Sequence, residues 1–191
     1  MRCRQSRFPA KSSLPRLWLM TDERVPEAVL LKAIERLPKG SGVVFRHYSL
    51  PPGSRRKLFG KVRALSGRRR LTLLLAGPAN IACAWSADGF HSRDLQHGRW
   101  PLLHSAPVHS VPEIRRAQAS GAHLLFLSPL FTTRSHPGAR PLGPSRFSQL
   151  ARTASLPVIA LGGVTRQKAR TARALGAYGW AAIDGLIGPF E

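Results

Sequence analysis

Gly121–Gly143 reads GAHLLFLSPLFTTRSHPGARPLG and, one helical segment later, Leu156–Thr165 reads LPVIALGGVT. Each contains a continuous apolar run, Leu124–Leu127 in the first and Val158–Leu161 in the second. A short apolar run without polar alternation is a strand buried on both faces, as in a parallel sheet covered by helices. A polar loop follows the first run and a glycine pair follows the second. Helical patterns come next, over Ser145–Ala154 and Thr165–Leu175. Strand, loop and helix, repeated, make a parallel α/β unit.

The same alternation extends outward to both ends. Further apolar runs lie at Leu17–Met20, Val43–Phe45, Leu71–Leu75 and Trp180–Ile183, with weak ones at Asp88–Phe90 and Leu102–Leu103. Helical patterns fall at Pro26–Leu37, Ser54–Leu65 and Ile114–Ser120. Ser110-Val111-Pro112-Glu113 matches a capping box, and Gly121 and Gly176 stand where helices end. Eight strand candidates predict an α/β fold of the (β/α)8 TIM-barrel type. The chain is short for that fold, so some helices must be trimmed. The trimmed segment lies between the fourth and fifth strands, where HSRDLQHGRWP (residues 91–101) has no helical period. Residues 1–15 read as a basic tail and 16–191 as a single barrel domain.

Composition narrows the function classes. The 191 residues carry 30 Lys+Arg against 9 Asp+Glu, a formal charge of +21, and 43% are hydrophobic, enough to bury a core. Two cysteines are too few for a disulfide scaffold or a multi-cysteine zinc site. No apolar run reaches a membrane span, and the N-terminal stretch has no apolar segment like a secretory signal, so the expected location is cytoplasmic. The basic excess raises nucleic acid or another acidic partner, yet 24 of the 30 cations are Arg spread along the chain. The densest stretch, Arg55–Arg70, places Leu58, Phe59, Val62 and Leu65 at helical spacing. It therefore reads as an amphipathic helix with a basic outer face, without aromatics for base stacking.

In a parallel barrel the reacting groups sit at strand C-termini and in the loops beyond them. Gly162-Gly163 would let backbone N–H groups approach a phosphate, or would serve tight packing. The loop Ser128–Gly138 offers hydroxyls, a guanidinium and an imidazole to an anionic ligand. His47, His91, His104 and His136 all lie at or beyond strand ends and are candidates for acid–base work. No GxSxG elbow, Walker loop or GxGxxG appears, and carboxylates are too scarce to supply a paired-carboxylate or two-metal mechanism.

Taken in order, LWLMTDE (Leu17–Glu23), ADGFH (Ala87–His91), His109-Ser110, Gly121–Gly143, Leu156–Thr165 and GAYGWAAIDGLIG (Gly176–Gly188) resemble the thiamine phosphate synthase family, including its TenI-like thiazole-tautomerase branch. The resemblance implies a barrel that joins hydroxymethylpyrimidine diphosphate to a thiazole phosphate with Mg²⁺, or a relative that binds or isomerises the thiazole phosphate. It also implies where this chain departs. The family's Gln-x-Arg-x-Lys reads Val44-Phe45-Arg46-His47-Tyr48, its Asn-Asp metal pair reads Ala76-Gly77, and a serine that meets the diphosphate reads Pro107. Its second metal carboxylate corresponds to Asp94, and the lysine ending its Thr-x-Thr-Lys loop to His136.

Thiazole-phosphate features survive better: Thr133 and Ser135 hold the hydroxyl positions and Gly162-Gly163 the phosphate turn. The serine after the last strand is Asp184, which reads as an N-cap. The tautomerase branch places its histidine where this chain has Ser128-Pro129, leaving His47, His104 or His136 to substitute. The expected site is therefore Arg46, Thr133, Ser135, His136, Gly162 and Gly163 around a thiazole phosphate or similar small phosphorylated ligand. Mg²⁺ enters, at Asp94, only if the synthase reaction is retained. Two alternatives remain: an active synthase, and a catalytically silent barrel whose basic surface contacts an acidic partner. Self-association is left open.

Overall fold

The computed structural model describes residues 14–93, 100–133, 138 and 140–187. Eight parallel strands close a barrel in chain order: β1 Leu17–Met20, β2 Gly42–Phe45, β3 Thr72–Ala76, β4 Gly89–His91, β5 Leu103–Val108, β6 Leu124–Leu127, β7 Val158–Ala160 and β8 Gly179–Ala182. Pairing of β1 with β8, Leu17 opposite Trp180, completes the ring. The predicted (β/α)8 architecture is the one observed.

Around the ring lie α1 Glu27–Arg36, α2 Pro52–Arg69, α3 Ala79–Ala84, α4 Val111–Ala119, α5 Gly143–Thr153 and α6 Ala169–Ala174. No helix follows β4 among the described residues, as the aperiodic 91–101 stretch predicts. The six-residue α3 was not predicted: ANIACA is too short and too evenly apolar to show a helical period. Strand β5 runs well past the weak Leu102–Leu103 signal, because His104, Ser105 and Pro107 interrupt its apolar pattern. Helix α4 starts at the predicted capping box, with Ser110 Oγ accepting the Glu113 N–H at 3.4 Å.

Strand parity sorts the side chains. Trp18, Val44, Leu74, Leu103, Leu124, Phe126, Ile159 and Ala181 point into the barrel. The alternate positions, such as Leu19, Val43, Phe45, Leu73, Leu125 and Leu127, meet the helices. Trp18 is fully buried, packs edge-on against Phe126 at 5.5 Å and donates its indole N–H to the Pro15 carbonyl at 2.8 Å. This aromatic layer fills the N-terminal half of the barrel, so any ligand must enter from the other end.

Basic residues of α2 do not all face solvent. Arg55 turns onto the strand ends, donating to the Arg46 carbonyl at 2.8 Å and the Ala76 carbonyl at 2.7 Å. Arg69 donates to the Leu37 carbonyl at 3.1 Å. Part of the Arg55–Arg70 charge therefore ties elements together. No helix is long and apolar enough to cross a membrane among the described residues.

Candidate active site

The C-terminal mouth opens into a cavity of about 950 Å³. His91 lines it, and its ring meets Phe126 of the barrel core edge-on at 5.1 Å. His91 Nδ1 contacts Ser105 Oγ at 2.9 Å, and burial lowers the imidazole to about 3, so the ring is neutral.

One wall comes from β1 and β2. Arg46 projects inward from the end of β2 and is pinned: Nε donates to the Thr21 carbonyl at 2.7 Å and Nη2 to Asp22 at 3.1 Å. Asp22 also receives Arg24 through Nε at 2.8 Å and Nη2 at 3.0 Å. The Arg24 guanidinium holds the Asp22 carboxyl down at about 2, against the opposing effect of burial. This network fixes the Arg46 guanidinium at the cavity wall. Tyr48 stands at the rim with 64% of its surface exposed.

The opposite wall is a pair of interlocked loops. After β7, Gly162 and Gly163 take φ of +92° and +62°, where a side chain is disfavoured. Space forbids one as well. A Cβ on Gly162 would fall 2.7 Å from Pro129, and one on Gly163 would fall 2.3 Å from the Thr132 carbonyl oxygen. The β6 loop is held there by Phe131 N–H donating to the Gly162 carbonyl at 3.0 Å. Replacing Gly163 with Ala should therefore cost about 3 kcal/mol, from the left-handed backbone and the clash together. Urea unfolding checks this; a loss below about 1 kcal/mol would mean that the loops do not touch in this way. Lys168 lies at the same wall, its Nζ 4.9 Å above the Phe131 ring.

Between the walls, His109 stands just beyond β5. Its ring Nδ1 donates to the Ser128 carbonyl at 2.6 Å, its Nε2 accepts from Arg93, and its backbone N–H donates to Glu113 at 2.8 Å. A carbonyl can only accept and a guanidinium can only donate, so these partners select the neutral Nδ1–H tautomer.

The expected residues divide clearly. Arg46, Thr133, Gly162 and Gly163 line the cavity together. Asp94, Ser135 and His136 lie outside the described residues. His47 and His104 point the other way, into the helix layer. His47 stacks on Phe45 and its Nδ1 contacts the Thr21 hydroxyl at 2.9 Å, while His104 stacks on Phe90 and contacts the Ser92 carbonyl at 3.3 Å. Among the described residues, the histidines that reach the cavity are His91 and His109. Arg93 and Lys168 also line it, and neither was singled out from sequence. Asp184 does not cap the last turn; it is the first residue of a 3-10 turn, Asp184–Leu186, capped by Ile183, and it faces the cavity.

Mg²⁺ fits the described residues poorly. No group of three or more Asp, Glu, His or Cys is arranged to hold a metal among them. Both Asp22 oxygens already face guanidinium groups, and Asp184 is the lone carboxylate among the described lining residues.

A family model described as thiamine monophosphate synthase matches residues 17–186. The chain belongs to the thiamine phosphate synthase family. Among relatives, the putative thiamine-phosphate synthase 2 of Aquifex aeolicus is 34% identical over 180 residues, covering 90% of this chain and 97% of that protein. The thiamine-phosphate synthase of Methanoculleus marisnigri is 29% identical, covering 90% and 87%. In three dimensions the thiamine phosphate pyrophosphorylase of Pyrococcus furiosus superposes with a TM-score of 0.78 at 22% identity, covering 94% and 90%. In this member of the family, the described lining combines three cations, Arg46, Arg93 and Lys168, with one carboxylate.

Proposed function

We propose that the cavity binds a thiazole phosphate, or a closely similar small phosphorylated ligand, and moves a proton on it. The observation that carries this reading is the convergence of three cations and the Gly162–Gly163 turn on one tautomer-defined imidazole, His109. The phosphate would lie against the glycine turn with Lys168 offsetting Asp184, and Thr133 would orient the ring from the β6 loop. Ser135 and His136 would complete that loop. Arg46 would meet a second polar group from the β2 side. His47 and His104, turned into the helix layer, leave the acid–base role to His109.

Calorimetric titration with thiazole phosphate tests the reading. Binding is expected, weakened about tenfold or more by Arg46→Ala, since one charge-assisted hydrogen bond to an anion is worth roughly 1.5–3 kcal/mol. No binding at millimolar ligand would remove the reading.

A second reading, synthesis of thiamine phosphate, is favoured by the names of the relatives and by the placement of Arg46. An assay with both precursors and Mg²⁺ separates the two. Turnover that Arg46→Ala abolishes would make this chain a synthase, with any metal held partly by residues such as Asp94.

A further inference from the structure

The contact between Arg93 and His109 lies apart from the glycine turn and Arg46 that would hold the ligand. It links a cation on the β4 loop to the imidazole on the β5 loop, inside the same cavity. His109 is held on two sides by groups that cannot easily leave. Its backbone N–H is bonded to Glu113 of the α4 capping box, and its Nδ1–H to the Ser128 carbonyl at the end of β6. The third partner differs in kind, because Arg93 is an exposed side chain. While its guanidinium donates to Nε2, the one lone pair of the neutral ring is occupied and His109 is no base.

We propose that Arg93 is an anion-responsive gate on His109: an anionic group of the ligand draws the guanidinium away and so uncovers Nε2 as the base. The exchange is driven by bond strength. Guanidinium to neutral imidazole is a single hydrogen bond, whereas guanidinium to phosphate or carboxylate is charge-assisted and can be bidentate, roughly twice as strong. Arg46 and Lys168 on the flanking walls add to the pull on an anion entering the cavity. The uncovered Nε2 then takes a proton from the ligand. The broken bond's electron pair stays on the ligand, and the imidazolium positive charge rests against the Ser128 carbonyl. Return of the same proton to another ligand atom isomerises the ligand with no net change in atoms or electrons. Arg93 thus acts as a positioning residue, and the base is exposed only when an anion is present.

This inference rests on the cavity taking an anionic ligand, and the test separates the two. Diethyl pyrocarbonate acylates imidazole only at an available ring nitrogen, and peptide mass spectrometry reads His109 individually, with buried His47, His91 and His104 as internal references. Inorganic phosphate is the probe, against chloride at equal ionic strength. In the unaltered chain, phosphate should speed His109 modification about tenfold, the factor expected when one hydrogen bond on Nε2 is removed. Arg93→Ala should be fast with or without phosphate, and Arg93→Lys should restore the phosphate dependence. An unchanged rate, a phosphate-slowed rate, or an Arg93→Ala variant no faster than the original chain would overturn the gate. Thiazole phosphate titrated alongside reads the ligand: binding that leaves His109 covered sinks only the gate, and uncovering by phosphate without thiazole phosphate binding sinks only the ligand assignment.

Discussion

Lowering the pH from about 7 to about 5 should remove about 2 kcal/mol or more of folding stability, before the carboxylates titrate. His47, His91, His104 and His123 are all pushed down from the usual imidazole value, burial being the largest cause in each case. The partner of His123 agrees with a neutral ring: its Nδ1 accepts the His104 backbone N–H at 3.0 Å. In the unfolded chain these rings protonate near 6.5. Below that pH the unfolded state binds more protons than the folded one, so stability falls with falling pH and is flat above it. His91, lowered to about 3, should alone contribute about 2 kcal/mol of loss by pH 5. A further decline follows at lower pH, as Asp22 loses the stabilisation associated with its shift from 3.8 to about 2. Asp88, raised by burial, opposes the trend only in the carboxylate range. Urea midpoints measured across this range check the slope, and His91→Gln should flatten it by the His91 share. A flat profile between pH 5 and 7 would show that the imidazoles are not buried as described.

Trp18→Ala should cost about 3–5 kcal/mol, the range for removing a large aromatic from a closed core. The indole is fully buried, Gly42 lies so close that a Cβ there would come within 2.2 Å of the ring, and Phe126 rests against its edge. Truncation empties the layer beneath the cavity and leaves the Pro15 carbonyl without its indole donor. Phe126 would lose its support and carry His91 with it, so ligand affinity should fall together with the thermal midpoint. A variant that loses under about 1 kcal/mol would contradict the close packing of this layer.

Much of this architecture was legible from residue order. Runs such as LWLM, LLFL and VIAL stood out because both faces of a barrel strand are apolar, and Ser110–Glu113 announced α4 through its cap. The same two-sided burial hid the parity of the strands. His104 and His47 look like mouth residues by position, yet Leu103 and Val44 take the inward places and turn both histidines outward. No polar alternation marks that choice in a strand buried on both sides. Arg46 was readable only through the family resemblance, while Thr133 and the glycine pair also stood out as hydroxyl and glycine residues directly after barrel strands. Arg93 and Lys168 were not, since an isolated cation in a chain with 30 of them carries no signal until the fold brings it to a cavity.

Glu113 has a consequence for how this sequence can change. Its carboxylate accepts the His109 backbone N–H, while its own N–H donates to Ser110 Oγ. One residue thus starts α4 and anchors the imidazole, and the four-residue interval between 109 and 113 becomes a fixed ruler. One added or lost residue here would detach the helix start from the His109 imidazole, the base of the proposed reaction. With His109 as the proposed base, length in this loop carries a chemical as well as an architectural constraint, and variation in related chains should be confined to side chains around the interval.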